Sequence, residues 1–431
     1  MLSAYYKAYP QVASTLLFFG FSLMLITDKA GGYCFAALLA ASIIQLTDKK
    51  KYPFTQTDGL VILILSCYPA IVLLNLFSQP EFRLDEFDDT SRFLLVIPIY
   101  LALRYQTTAL HYASLGALAG LFAAIFFAIM AMLAGTETRF GGYENPVAFS
   151  QAAVLLACLS GCISINASQK EGSSEWSISV IALISTSFTS LASQTRTTIL
   201  SAMLLMPLAF PKSISLKNKL IFLSFSVVIF TFLCVALLKV FGAPHITKSS
   251  DKIPEIVQIF IKDGPHQTVE TLLKEDSTSM VSLGRRGALW IVGYEAMLAN
   301  PIFGIGKGNF QEFVQKSKSL NLTMKDSVSI YSHAHNDIIQ ITAEIGIVGL
   351  VSYSILLLGS IVIVINNSFD PKSRRLVFMT ITSCFIYGLT QSALVGSQNI
   401  TLTIAMIIAL GLATRCSSAS KNDARKDDEQ N

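Results

Sequence analysis

The sequence predicts an all-α, polytopic membrane protein with about 12 transmembrane helices. Three observations carry this. The 431-residue chain is 52% hydrophobic and only 14% charged, against roughly 25% charge in an average soluble domain; its mean hydropathy is +0.56. The apolar residues come in blocks: the runs 10–27, 60–77, 110–133 and 220–241 approach the ~20 residues that cross a hydrocarbon core. Alternating segments of ~10 residues, the mark of a membrane barrel, are not seen.

In chain order, spans are expected near 10–27, 30–46, 58–77, 92–104, 112–134, 147–167, 176–194, 197–210, 219–241, 336–365, 376–394 and 398–414. The fourth and eighth are short for a bilayer and call for tilt or extension into their loops. The first run follows a single lysine, Lys7, without a convincing small-residue cleavage site. It reads as a retained helix rather than a signal peptide. Cys34, Cys67, Cys158, Cys162, Cys234, Cys384 and Cys416 lie in apolar segments or in the tail, so no disulfide framework is expected.

Short-loop charge sets the orientation. One alternate set of loops carries Lys49, Lys50, Lys51, Arg104, Lys170, Lys212, Lys217, Lys219, Lys372, Arg374 and Arg375, and both termini fall on that side. The other set carries only Lys29, Arg83, Arg92, Arg139 and Arg196. The positive-inside rule then puts both termini in the cytoplasm. The chain divides into 1–241 with nine spans, a large external loop at 242–335, three further spans at 336–414, and a charged tail at 415–431. A structureless loop of that length is unusual. Helices are expected in it at 253–261, 268–273, 287–299 and 309–317, forming a small cap over the membrane domain.

The densest polar cluster is Tyr331-Ser332-His333-Ala334-His335-Asn336-Asp337-Ile338-Ile339-Gln340, where the long loop meets the tenth span. Asn336, Gln340 and Glu344 recur every four residues, so they share one helix face that runs into the membrane. Polar groups at such depth face a cavity or the bundle interior. The helix N-terminus attracts anions and disfavours a protonated imidazole. A histidine held neutral there is a usable general base. A pair that only hydrogen-bonds loop backbone is an equally open reading. Joint metal chelation by His333, His335 and Asp337 fits poorly at this spacing, and no metal is expected.

Arg196 sits in the short external turn Ser193-Gln194-Thr195-Arg196-Thr197-Thr198. Its planar fork suits a phosphate, although snorkelling to headgroups is the alternative. Arg285 and Arg286 precede Trp290 in the long loop. Adjacent arginines on a helix point apart, so one at most enters a site. Gly304-Ile305-Gly306-Lys307-Gly308 has neither nucleotide-binding spacing nor a preceding strand. It reads as a tight turn between cap helices.

Arg286-x3-Trp290, then Asn300-Pro301-Ile302-Phe303-Gly304-Ile305-Gly306-Lys307-Gly308-Asn309-Phe310, then His335-Asn336-Asp337 through Leu350 together resemble the O-antigen ligase and polymerase superfamily. The resemblance is close over about 285–350. It implies a GT-C-like glycosyltransferase of the bacterial inner membrane, with its active site facing the periplasm. The implied donor is a glycan on undecaprenyl pyrophosphate. The implied acceptor is the lipid A–core oligosaccharide for a ligase, or another lipid-linked repeat unit for a polymerase. Neither metal nor other cofactor is implied. His335, Arg286 and Arg196 match the family's essential positions. Arg285, His333, Asn336, Gln340 and Trp290 are candidate substrate-binding residues beside them. Membrane lipid is the expected surrounding, and no nucleic-acid partner is expected. A single dominant external loop favours a ligase over a polymerase. A transporter is the remaining alternative, but it would show midplane binding groups and internal repeats.

Overall fold

The computed structural model describes residues 2–27, 29–48, 53–134, 140–142, 145–163, 173–193, 195–209, 253–275, 278–367, 369–392 and 398–414, with the single residues 217, 221, 224 and 228. The side chain of Arg196 is among the features left outside, as are the expected tail at 415–431 and almost all of the expected span at 219–241.

Among the described residues the regular structure is helical. The helices are α1 Leu2–Leu23, α2 Ala30–Gln45, α3 Gln56–Phe77, α4 Asp88–Leu103, α5 Ala109–Ala134, α6 Pro146–Ser160, α7 Ser173–Ser193 and α8 Arg196–Ala209. Then follow α9 Ile253–Leu273, α10 Thr278–Ala299, α11 Phe310–Lys316 and α12 Leu322–Val328, and finally α13 Asp337–Asn366, α14 Pro371–Gly388 and α15 Gln398–Ala413. Local sequence starts several of them. Thr55 and Asp58 form a reciprocal capping box on α3, and Asn145 and Asp370 cap α6 and α14 ahead of a proline at the first turn.

Three of these helices are long and apolar enough to cross a membrane: α3, α5 and α13. Down one face of α13, Ile347, Val351, Ile355, Leu358, Val362 and Ile365 are exposed. An apolar stripe of that length left facing outward fits a lipid surrounding rather than water. The opposite face of α13 lies antiparallel against α3. Near one end Asn75 donates to the Phe303 carbonyl at 2.8 Å, and at the other Thr57 donates to Asn367 at 3.3 Å.

Two hydrophobic cores result. The larger joins α1 to α8 with α13, α14 and α15. The smaller belongs to the cap: Val269, Leu289, Val292, Phe310, Val314, Met324 and Val328 pack with Ala334 and Ala343. Because Ala343 lies in α13 and Ala334 just before it, the cap core is fused to the first turns of that helix. Two cap details differ from the sequence expectation. The helices expected at 253–261 and 268–273 form one element broken at Gly264, whose φ is +82°, and α12 was not anticipated.

The largest departure concerns α13, which the apolar pattern reads as continuous. It is interrupted at Gly346, with φ +75° and ψ −166°. The segment 301–308 does turn between the cap helices α10 and α11, and it also wedges into this break. Ile305 and Gly306 donate backbone N–H groups to the Ala343 and Glu344 carbonyls, each at 2.9 Å. In return Ile347 donates to Pro301 at 2.9 Å and Val348 to Ile302 at 3.3 Å. Backbone groups freed by a helix break at membrane depth must find such partners. The approach leaves no room for side chains: a Cβ on Gly346 would meet the Ile302 carbonyl at 2.2 Å, and one on Gly304 would meet the Glu344 backbone at 2.2 Å.

Candidate functional site

Two polar centres flank the first turns of α13. The first is the wedge. Lys307 and Glu344 form an ion pair at 3.4 Å, with their side chains 5% and 2% exposed. Gly308 N–H donates to Glu344 Oε1 at 2.9 Å, and Lys307 N–H donates to Asn75 Oδ1 at 2.8 Å. Burial alone would lower the Lys307 pKa, but the surrounding Glu344, Glu86 and Asp89 outweigh it and hold the ammonium above its usual range. The acidic loop between α3 and α4 therefore comes to this end of the bundle. Arg83 there donates to Asn309 at 3.3 Å.

The second centre is the segment 331–336. Its backbone is pinned at its middle, on Ala334. Trp290 donates its indole N–H to the Ala334 carbonyl at 3.0 Å, and Ala334 N–H donates to Gln340 Oε1 at 2.7 Å. His335 has φ +51°, the only non-glycine residue with positive φ among the described residues. Such left-handed backbone is uncommon for a side chain and is kept where surrounding contacts over-determine it. Asn336 then caps α13 by accepting from Ile339 N–H at 3.1 Å, while its amide donates to the Leu389 carbonyl at 3.0 Å.

The two rings held by this segment touch, with His333 and His335 perpendicular and their centroids 4.2 Å apart. Nδ1 of His335 lies 2.9 Å from Gln391 Oε1. Burial pushes the His335 pKa below its usual 6.5; the Gln391 bond opposes this and the nearby Arg286 guanidinium adds to it. Burial, then His335 and Lys307, push His333 down to about 4. Both rings are therefore neutral near pH 7. Nδ1 of His333 and Nε2 of Gln340 are buried without a hydrogen-bond partner. Unsatisfied buried polar atoms are costly and call for an explanation.

The turn carrying Arg196 reaches the same end. Thr195 donates to Ser150 at 2.8 Å and lies 2.7 Å from the Thr198 hydroxyl, and Tyr387 donates to Thr198 at 3.0 Å. Thr197 and Thr390 hydroxyls are 3.1 Å apart, one residue from Gln391. This hydroxyl network and Gln391 were not found from sequence. Ser, Thr and Gln within apolar spans carry no pattern that separates packing from function.

Of the candidate residues, then, His333, His335 and Arg286 come together, with Gln340 beneath them. Trp290 and Asn336 have their hydrogen-bonding groups engaged in holding the histidine loop. Arg285 is the immediate neighbour of Arg286, and its Nε is buried without a hydrogen bond. Among the described residues no group of three His, Cys, Asp or Glu side chains is placed to hold a metal ion.

Fold and site thus define an all-helical protein of membrane character, with an imidazole pair and an arginine gathered at one end. Residues 181–354 match the family model described as O-Antigen ligase, and this supports placing the chain in the O-antigen ligase family. The matched stretch contains every candidate site residue and ends before Gln391. No curated protein matches the chain.

Proposed function

We propose that this protein is a twelve-span, GT-C-like O-antigen ligase of the bacterial inner membrane. It transfers a glycan from undecaprenyl pyrophosphate to a sugar hydroxyl of lipid A–core, with its active site on the periplasmic side and both termini in the cytoplasm. The observation that carries the reading is a neutral, anchored His335 within electrostatic reach of Arg286, at the end where α8 begins with Arg196. In this scheme His335 takes the proton of the acceptor hydroxyl as that oxygen attacks the anomeric carbon. The bond from that carbon to phosphate breaks, and the pyrophosphate leaves with the electron pair. Arg286 and Arg196 stabilise the charge growing on it. A single displacement inverts the anomeric centre. His333 Nδ1 and Gln340 Nε2 are then hydrogen-bonding groups for the sugars rather than orphaned atoms.

A deletion strain tests the reading. Long polymer remaining on undecaprenyl pyrophosphate, with none on lipid A–core, is the expected outcome. Cores bearing only single repeats would assign the protein as a polymerase instead. Normal glycans with altered solute uptake would overturn the enzyme reading. Reporter fusions after Lys274 and Lys421 check the orientation, with cytoplasmic activity of the first contradicting it.

A further inference from the structure

We infer that Gln391 is a positioning residue that fixes the tautomer of the His335 ring, making Nδ1 the N–H and leaving the lone pair on Nε2. This rests on the reading of His335 as the base. Gln391 presents Oε1 to Nδ1 at 2.9 Å; an amide oxygen only accepts, so with the amide in this orientation Nδ1 carries the hydrogen. Neutral imidazole has one proton between two nitrogens, so the basic position is then Nε2. A histidine left to choose would divide between tautomers, and one of them presents N–H where the acceptor hydroxyl needs a lone pair.

Gln391 is well held for this role. Its backbone N–H donates to the Tyr387 carbonyl at 2.7 Å, closing the end of α14. Two residues earlier, the Leu389 carbonyl accepts from Asn336 at 3.0 Å. The α14 terminus and the histidine loop are thus joined at Leu389–Asn336 and again at Gln391–His335. Tyr387 and Thr390 tie the same terminus to the start of α8. The α14 terminus that carries Gln391 therefore also touches the Arg196 turn.

The choice of an amide also has an electrostatic sense. Among the described residues, the titratable or charged groups found beside His335 are Arg286 from α10 and His333 and Tyr331 from its own loop. Residues 389–392 of the α14 terminus are neutral. A carboxylate in place of Gln391 would orient the ring equally well, but it would raise the imidazole pKa and offer Arg286 a counter-ion. A neutral acceptor fixes the ring and leaves the arginine's charge for the diphosphate.

The test uses the full-length protein in detergent, with Gln391→Met, Gln391→Glu and His335→Ala. The chain has five histidines, so ring ¹⁵N spectra of histidine-labelled protein can be assigned by subtracting the His335→Ala spectrum. The native ring should be protonated at Nδ1, and Gln391→Met should give mixed tautomers. Transfer from a synthetic lipid-linked glycan to lipid A–core should fall about 10- to 100-fold in Gln391→Met, taking as a guide the scale for partners that orient metal-bound imidazoles. Gln391→Glu should keep most of the transfer at high pH, move the acid limb upward and raise the donor KM. An unchanged tautomer in Gln391→Met would overturn the inference. So would loss of transfer by Gln391→Glu at every pH, because the amide would then be donating to Nδ1. Normal transfer by His335→Ala would instead remove the base reading, while the spectra still decide the tautomer.

Discussion

The wedge and the histidine loop lie beside the same turns of α13, and both bury polar side chains, yet they are finished differently. In the wedge the groups match one another. The Lys307 ammonium meets the Glu344 carboxylate, the second Glu344 oxygen takes the Gly308 N–H, and Asn75 serves the wedge backbone at both Phe303 and Lys307. In the histidine loop the backbone is equally well tied, but Nδ1 of His333 and Nε2 of Gln340 have no partner. Burial of polar groups near a membrane is a weak guide to function, because structure uses it too. What separates the two centres is whether the hydrogen-bonding capacity is consumed. The wedge is closed on itself, and the histidine loop is open to something else.

The strongest way to break this comparison is at the open centre. His335→Ala and His335→Gln should each reduce transfer about 10²–10⁴-fold, the range for losing a general base, while the protein still folds and binds donor. Near-normal transfer by a folded Gln variant would reduce His335 to loop ordering. Arg286→Ala should come next, at about 10²–10³-fold, as for removal of one group that stabilises transition-state charge. Lysine there should rescue only in part, having lost the planar fork, and Arg285→Ala should be milder. Equal losses at 285 and 286 would mean that the pair acts as a general surface charge.

The closed centre should answer through stability. Lys307→Met leaves the Glu344 carboxylate buried and unpaired, which costs about 3–5 kcal/mol. The double replacement of Lys307 and Glu344 by Met should recover much of this and retain transfer. Thermal unfolding in detergent, read beside the transfer assay, checks both. If the stable double variant is inactive, the ion pair belongs to the chemistry and the division drawn here is wrong. The smallest effect is in pH dependence. Transfer should rise with pH as His335 loses its proton, and because its pKa is lowered the midpoint of that rise should lie below 6.5. The same depression disfavours protonation of the folded state. It contributes stability above pH 6.5 that is lost as pH falls through the lowered folded values, toward about 4 for His333. An acid limb above 6.5 would show a ring in contact with a carboxylate.

Much of this was legible in the residues. Blocks of apolar side chains announce helices long before they meet, because a chain in lipid satisfies its backbone only as helix or closed barrel, and a barrel would alternate. His335-Asn336-Asp337 at the edge of such a block marks a helix start, and Asn336 does cap it. Adjacent positions on one helix say only that Arg285 and Arg286 point apart; the preference for Arg286 came from the resemblance carried by Arg286-x3-Trp290. The break in α13 was hidden because Gly346 sits in a run as apolar as any unbroken helix, and a glycine there is compatible with either conformation.

Sequence by itself therefore determined the helices, their membrane character and which residue types gather at one boundary, since these depend on composition and on neighbours along the chain. Only the tertiary structure decided what each polar group is for. Lys307 meets Glu344, Gly304 fits against the Glu344 backbone, and Gln391 reaches His335 across 37, 40 and 56 residues of chain. No local pattern encodes a hydrogen-bond partner at that separation. It is fixed when the helices pack, and packing is what leaves the nitrogens of one centre paired and two nitrogens of the other buried without a partner.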